Sequence, residues 1–86
     1  MLNILLEGLD NETRMTLLPR EQELVKKMEE NGTIVDNFIK LDMSGIFMIM
    51  MASDLDEVHS KLSTLPYYSY MKIEITPIRV VNSINQ

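Results

Sequence analysis

An unbroken apolar run, Ile46 to Ala52, constrains the fold of this chain more than any other feature. A transmembrane helix needs about 20 such residues, so the run is too short to be one. It has the length of a strand, and alternate residues of a strand point to opposite faces of the sheet. Both faces of this strand are therefore apolar, as expected for a central strand that is covered on both sides.

The rest of the pattern predicts three more strands and two helices. Short apolar or β-branched runs bounded by Gly, Asn or Asp indicate strands. Pro19 fits the first turn of a helix, and Asn31-Gly32 fits a helix end. Strands one, two and four are predicted at Leu2–Glu7, Thr33–Leu41 and Met71–Val80. The first helix is predicted at Leu18–Asn31, and the second runs from Ser53 or Asp54 to Leu65-Pro66. A loop is predicted at Leu9–Thr16 and a hairpin turn at Asp42–Gly45.

The order of these elements, β-α-β-β-α-β, restricts the topology. Right-handed crossovers place strands one and three at the centre of one antiparallel sheet with both helices on one face. Pro77 cannot donate to a strand ladder, which suits an edge position for strand four. We expect residues 1–86 to form one ferredoxin-like domain of the α+β class, with a polar C-terminal tail at residues 81–86.

The sheet face away from the helices is predicted to be apolar as well. Strand three presents Phe47, Ile49 and Met51 to it, and strand one adds Leu5. Uncovered apolar patches usually mark interfaces or ligand grooves. A chain of 86 residues with no cysteine also has little else to stabilise it. We therefore expect a homodimer or a higher oligomer.

Charge disfavours several classes of partner. The net charge is −5, and Lys and Arg total 8 against 13 Asp and Glu. Nucleic-acid binders draw most of their affinity from basic residues on phosphates, so neither nucleic acid nor an anionic membrane is an expected partner. Met1 to Glu7 lacks the features of a signal peptide, and the absence of cysteine fits a reducing compartment. The sequence predicts a soluble cytoplasmic protein.

The segment Glu57 to Ile78 carries a family resemblance. It reads EVHSKLSTLPYYSYMKIEITPI, in which a helix runs into Leu65-Pro66, an aromatic-rich turn, then Tyr70-Met71 and Ile73-Glu74. Together with a Glu-rich helix that closes in Gly-Thr, at residues 21–33, this resembles the muconolactone delta-isomerase family. The resemblance implies a dimeric α/β barrel, in which two sheets enclose an apolar core, and isomerisation of a lactone without a cofactor.

Candidate catalytic residues follow from the chemistry that this resemblance implies. A lactone carboxylate needs a cationic partner, for which Lys40 or Arg79 is available. Glu21 shares the apolar face of the first helix, where a carboxyl can have a raised pKa and carry a proton; the alternative is a first-turn glutamate that stabilises the helix. His59, the only histidine, titrates near neutrality and is a third candidate, or else a half-buried structural residue.

Aromatic residues are the candidates for lining a ligand pocket, namely Phe38, Phe47, Tyr67 and Tyr70. Tyrosines in such a turn are also common at subunit interfaces. Asp54, Asp56 and Glu57 lack the spacing of a calcium loop, and a helix cap explains them. No metal and no cofactor is expected.

Three functional hypotheses remain open on this evidence. The first is an isomerase-like protein that binds a small apolar or lactone-type metabolite, in which a Glu21→Gln change abolishes turnover. The second is a non-enzymatic oligomeric binding or assembly module with a packed barrel interior. The third is a haem-binding or monooxygenase-like protein with His59 as axial ligand. A cavity of about 300 Å³ or more with convergent polar groups favours the first over the second.

Overall fold

The computed structural model describes residues 1–79. It confirms the predicted β-α-β-β-α-β order and the ferredoxin-like fold. The elements are β1 (Leu2–Leu6), α1 (Asn11–Glu30), β2 (Ile34–Ile39), β3 (Gly45–Met50), α2 (Leu55–Leu62), a short 3₁₀ helix (Tyr68–Tyr70) and β4 (Met71–Ile75). Neither α-helix is both long and apolar enough to cross a membrane. The predicted tail at residues 81–86 lies outside the described residues.

The four strands form one antiparallel sheet in the order β2-β3-β1-β4. The prediction that strands one and three are central is therefore confirmed, as is the edge position of strand four. In this register Ile4 pairs with Ile46 on one side and with Ile73 on the other. These side chains point to the same face and pack against the helices.

The core lies between the sheet and the two helices. Leu2 and Ile4 of β1 are fully buried in it, as is Leu62 of α2. Helix α1 contributes Leu24 and Val25 to the edge of this cluster. The remaining buried members are Ile34, Met48, Val58 and Leu65.

Helix α1 begins at Asn11, so the predictions of a loop at Leu9–Thr16 and of a helix start at Leu18 are wrong. The Thr13 N–H donates to Asp10 Oδ1 over 2.7 Å, which makes Asp10 the N-cap. Pro19 consequently lies inside the helix and not in its first turn. Its ring removes one main-chain hydrogen bond, and the helix continues because its apolar face packs on the core.

Strand β4 ends at Ile75 and does not extend to Val80 as predicted. The Thr76 N–H still donates to the Met1 carbonyl over 2.7 Å. The chain then continues into Pro77, which has no N–H. Val80 itself lies outside the described residues. The other strands differ from prediction by at most two residues at either end, and a register shift interrupts β2 between Ile34 and Asp36.

Helix α2 begins as predicted, with Asp54 as its N-cap. The Glu57 N–H donates to Asp54 Oδ1 over 2.8 Å, and the Ser53 N–H donates to Glu57 Oε2 over 3.1 Å. Glu57 thus accepts the N–H of the residue before the N-cap, in an arrangement close to a capping box. The acidic residues here therefore stabilise a helix start.

Gly45 lets two central strands approach closely. A Cβ atom at this position would collide with the main-chain carbonyl of Ile4 on β1. We expect Gly45→Ala to lower the free energy of unfolding by about 1–2 kcal/mol, because overpacking forces the backbone to shift. Urea denaturation measures the change. Unchanged stability in Gly45→Ala would contradict the steric explanation.

Candidate ligand-binding face of the sheet

The sheet face opposite the helices, which we call the open face, has an apolar centre. Phe38 is 55% exposed and Phe47 is 37% exposed, whereas Leu5 and Ile49 are half-buried. Polar side chains lie around this centre. By strand alternation, the open face consists of Asn3, Leu5, Asp36, Phe38, Phe47, Ile49, Lys72 and Glu74.

Lys40 joins two of the predicted pocket residues on this face. Phe38 and Phe47 are paired across β2 and β3. The Lys40 Nζ lies 4.8 Å from the centroid of the Phe47 ring. The Lys40 N–H donates to the Gly45 carbonyl over 2.9 Å, which fixes the lysine at the hairpin end of the sheet. An ammonium group over an aromatic ring is thus available to a ligand carboxylate.

Asn3 is a polar residue in the middle of the open face. Its register partners are Phe47 on β3 and Glu74 on β4. Its Oδ1 is buried and has no hydrogen-bond partner among residues 1–79. A shallow cavity of about 300 Å³ is lined by Asn3, Leu5, Lys72, Ile73 and Glu74.

Sequence reasoning did not single out Asn3 or Glu74. A signal for Asn3 was present, because an amide stands between Leu2 and Ile4 in a strand that the topology places at the sheet centre. The alternation of apolar and polar residues in β4 indicates only that Glu74 faces away from the core. The neighbours of Glu74 depend on the pairing register of β4 with β1, which the sequence does not give.

Glu21 lies in the helix layer, on the other side of the sheet from Lys40. It is only 8% exposed, and its Oε1 accepts the Tyr67 N–H over 3.0 Å. Burial raises the pKa of its carboxyl above the ordinary 4.5, and the hydrogen bond from Tyr67 offsets part of that rise. The Tyr67 hydroxyl in turn donates to the Arg14 carbonyl over 2.9 Å. Glu21 and Tyr67 therefore connect α1 to the turn before β4.

The other predicted site residues lie apart from these groups. His59 on α2 is exposed, and its Nδ1 is 3.1 Å from the Tyr68 hydroxyl. Tyr70 is half-buried, and its carbonyl accepts the Glu7 N–H over 2.8 Å. Arg79 is exposed beyond the end of β4. The structure thus brings Lys40, Phe38 and Phe47 together on the open face. It pairs Glu21 with Tyr67 in the helix layer, and it places His59 apart from both groups.

A second concave region lies where α2 begins, at the end of the sheet. This cleft of about 380 Å³ was not predicted. Its lining combines apolar residues of the sheet and α2 with Ser53 and Asp54, whose polar groups are engaged in the helix cap. Among residues 1–79 no group of three His, Cys, Asp or Glu residues is placed to hold a metal ion.

A family model described as muconolactone delta-isomerase matches residues 2–83. This range contains all four strands, both helices and every residue of the open face. No curated protein sequence matches the chain.

Proposed function

The chain belongs to the muconolactone delta-isomerase family, and from this premise we propose that its open face binds a small lactone-type metabolite and isomerises it by proton transfer. The observation that carries the proposal is the position of the Lys40 ammonium, 4.8 Å from the Phe47 ring centroid. Phe38 and Phe47 provide an apolar surface for a flat ring. Lys40 provides a charge for a carboxylate at the edge of that surface.

The proposed reaction needs neither a redox partner nor a cofactor. A base removes a proton from the carbon next to the lactone carbonyl, and the electron pair moves onto the carbonyl oxygen. The same group then returns the proton at the far end of the conjugated system, which moves the double bond. The sheet separates a ligand on the open face from Glu21, whose carboxyl accepts the Tyr67 N–H in the helix layer, so the proton carrier has to be a carboxylate of the open face itself.

A second copy of the chain is the proposed cover for the open face. A ligand on a bare sheet would remain in contact with water, whereas two facing sheets would enclose it. Exclusion of water strengthens charge interactions such as that between Lys40 and a carboxylate. The site is therefore proposed to form within a homodimer or a larger oligomer.

Loss of the Lys40 charge is expected to weaken binding. Lys40→Met should bind a carboxylate-bearing unsaturated lactone about ten-fold or more weakly, because a charge-assisted hydrogen bond is lost. Isothermal titration calorimetry measures the affinity. Lys26→Met removes an exposed lysine of α1 and serves as the matched control. Equal affinities for Lys40→Met and the unmodified chain would refute the proposed position of the ligand.

A non-enzymatic assembly module is the second candidate. One observation favours it, namely that one Glu21 oxygen already accepts the Tyr67 N–H, so this carboxyl has a structural role without any substrate. A thermal-shift screen against lactones, unsaturated cyclic acids and haem separates the candidates. A ligand at 100 times its Kd stabilises the folded chain by about 2.7 kcal/mol. No shift across the panel would favour the module, and a shift with haem alone would indicate haem binding.

A further inference from the structure

The connection between α1 and β2 contains an asparagine directly followed by a glycine, Asn31-Gly32. Asn31 is the C-cap of α1, and both residues are exposed. In such a pair the main-chain nitrogen of the glycine can attack the side-chain amide of the asparagine, because glycine has no Cβ to hinder the ring that forms. Every other asparagine of the chain is followed by a residue with a side chain. Asn31 is therefore the position at which this reaction meets least steric hindrance.

The surroundings leave the Asn31-Gly32 peptide accessible. A Cβ atom at Gly32 would meet nothing within 4 Å, so there is room for a ring on this peptide. The Gly32 N–H donates to the Glu29 carbonyl over 3.3 Å, which is long for such a bond, so the attacking nitrogen is weakly held. Asn31 and Gly32 also line a surface groove of about 380 Å³ beside the start of α2. Water therefore reaches both residues.

Thr33 directs a hydrogen-bond donor at the group that would react. Its main-chain N–H donates to Asn31 Oδ1 over 2.9 Å. Attack at the Asn31 Cγ puts negative charge on this oxygen, and a donor already directed at it stabilises that charge. The same hydrogen bond holds the side-chain carbonyl in place. The folded chain thus presents an oriented amide at an exposed helix end.

We propose that Asn31 is a site of spontaneous deamidation, and that its isoaspartate product loosens the attachment of β2 to the sheet. The Gly32 nitrogen gives up its proton and bonds to the Asn31 Cγ, and the Cγ–Nδ2 bond breaks as ammonia leaves with that proton. Water then opens the cyclic imide at either carbonyl. Opening at the main-chain carbonyl of residue 31 gives isoaspartate, and opening at Cγ gives aspartate. Neither step involves the open face.

Isoaspartate changes the main chain as well as the charge. It adds one carbon atom to the main chain of a connection that consists only of residues 31–33. The Thr33 carbonyl accepts the Met51 N–H over 2.9 Å, next to the point where β2 joins β3. The extra atom displaces Thr33 relative to Met51. The new carboxylate also lies at the negative end of the α1 dipole, where a negative charge is unfavourable.

Incubation of the purified chain at neutral pH tests the modification itself. Peptide mapping by mass spectrometry, with fragmentation that distinguishes isoaspartate from aspartate, follows each asparagine over time. We expect Asn31 to react about ten-fold or more faster than Asn11, a difference of about 1.4 kcal/mol in activation free energy. Asn11 is the internal control, because it is also exposed but precedes Glu12. Gly32→Ala should slow the reaction of Asn31 to about the rate of Asn11.

Amide hydrogen exchange followed by NMR tests the structural consequence. The isoaspartate form is separated by ion exchange through its added charge, and we expect its Met51 N–H to exchange about ten-fold or more faster than in the unmodified chain. Asn31→Gln, incubated in the same way, should stay unmodified at position 31 and keep its initial Met51 exchange rate. Reaction of Asn31 no faster than Asn11, or without isoaspartate, would overturn the deamidation site. An unchanged Met51 rate in the isoaspartate form would overturn the loosening of β2.

Discussion

We expect the Glu21→Ala variant to be less stable than Glu21→Gln by about 2–3 kcal/mol in its free energy of unfolding. In both variants the buried negative charge is gone. The glutamine amide oxygen can still accept the Tyr67 N–H, which reaches Glu21 Oε1 over 3.0 Å. Alanine leaves this N–H unpaired in a buried position and leaves a small void between α1 and the turn. The difference between the variants therefore measures the hydrogen bond to Tyr67 together with the packing of the side chain at position 21.

The pH dependence of stability tests the same carboxyl in a different way. Burial raises the pKa of Glu21 above 4.5, so the folded chain binds this proton more tightly than the unfolded chain. The resulting stabilisation is complete below pH 4.5 and is lost as the pH rises through the folded-state pKa. Glu21→Gln stays neutral throughout. The stability of the unmodified chain relative to this variant is thus expected to fall as pH increases from about 4 to 8.

Urea denaturation of the three proteins across this pH range measures both effects. Glu29→Ala changes an exposed glutamate of the same helix and is expected to stay within about 0.5 kcal/mol of the unmodified chain. Equal stability of the alanine and glutamine variants would show that the contact with Tyr67 contributes nothing. A pH-independent difference between the unmodified chain and Glu21→Gln would contradict the raised pKa.

The fold was predictable because its signals are local and agree with one another. The apolar run at Ile46 placed a strand at the sheet centre, and Asp54 marked the start of α2 as its N-cap. The start of α1 was missed because Pro19 was assigned to the first turn of the helix, whereas the helix begins after Asp10. The sequence alone does not show that the packing of α1 outweighs the hydrogen bond lost at proline.

The candidate site was only partly predictable, for a related reason. Phe38, Phe47 and Lys40 were chosen by residue type, and the β2–β3 hairpin brings them together because it is a local contact. Asn3 and Glu74 are separated by 71 positions and meet through the β1–β4 register. Glu21 was chosen for its position on an apolar helix face, and the structure shows it buried. Its hydrogen-bond partner Tyr67 could not be predicted, because it lies 46 residues away in the sequence. Contacts of this range depend on the assembled fold.

Replacement of Phe38 by aspartate is expected to break self-association. Phe38 is 55% exposed on the edge strand β2 of the open face, where the proposed second copy would cover it. A carboxylate there would lose its water on assembly, and pairing with the nearby Lys40 would offset only part of that cost. We expect the dissociation constant of the oligomer to rise about 100-fold or more, equivalent to about 2.7 kcal/mol. Analytical ultracentrifugation over a range of concentrations measures this change.

Met15→Asp is the matched control for this experiment. Met15 is 60% exposed and lies on α1, so the substitution removes a similarly exposed apolar residue away from the open face. If the sheets face each other in the oligomer, only Phe38→Asp should yield monomers, and it should lose lactone binding at the same concentrations. An unmodified chain that is monomeric at every concentration would refute the two-sheet site. If Met15→Asp dissociates the oligomer instead, the interface lies on the helices and the open face stays in water. The apolar character of Phe38 and Phe47 would then have no explanation in self-association.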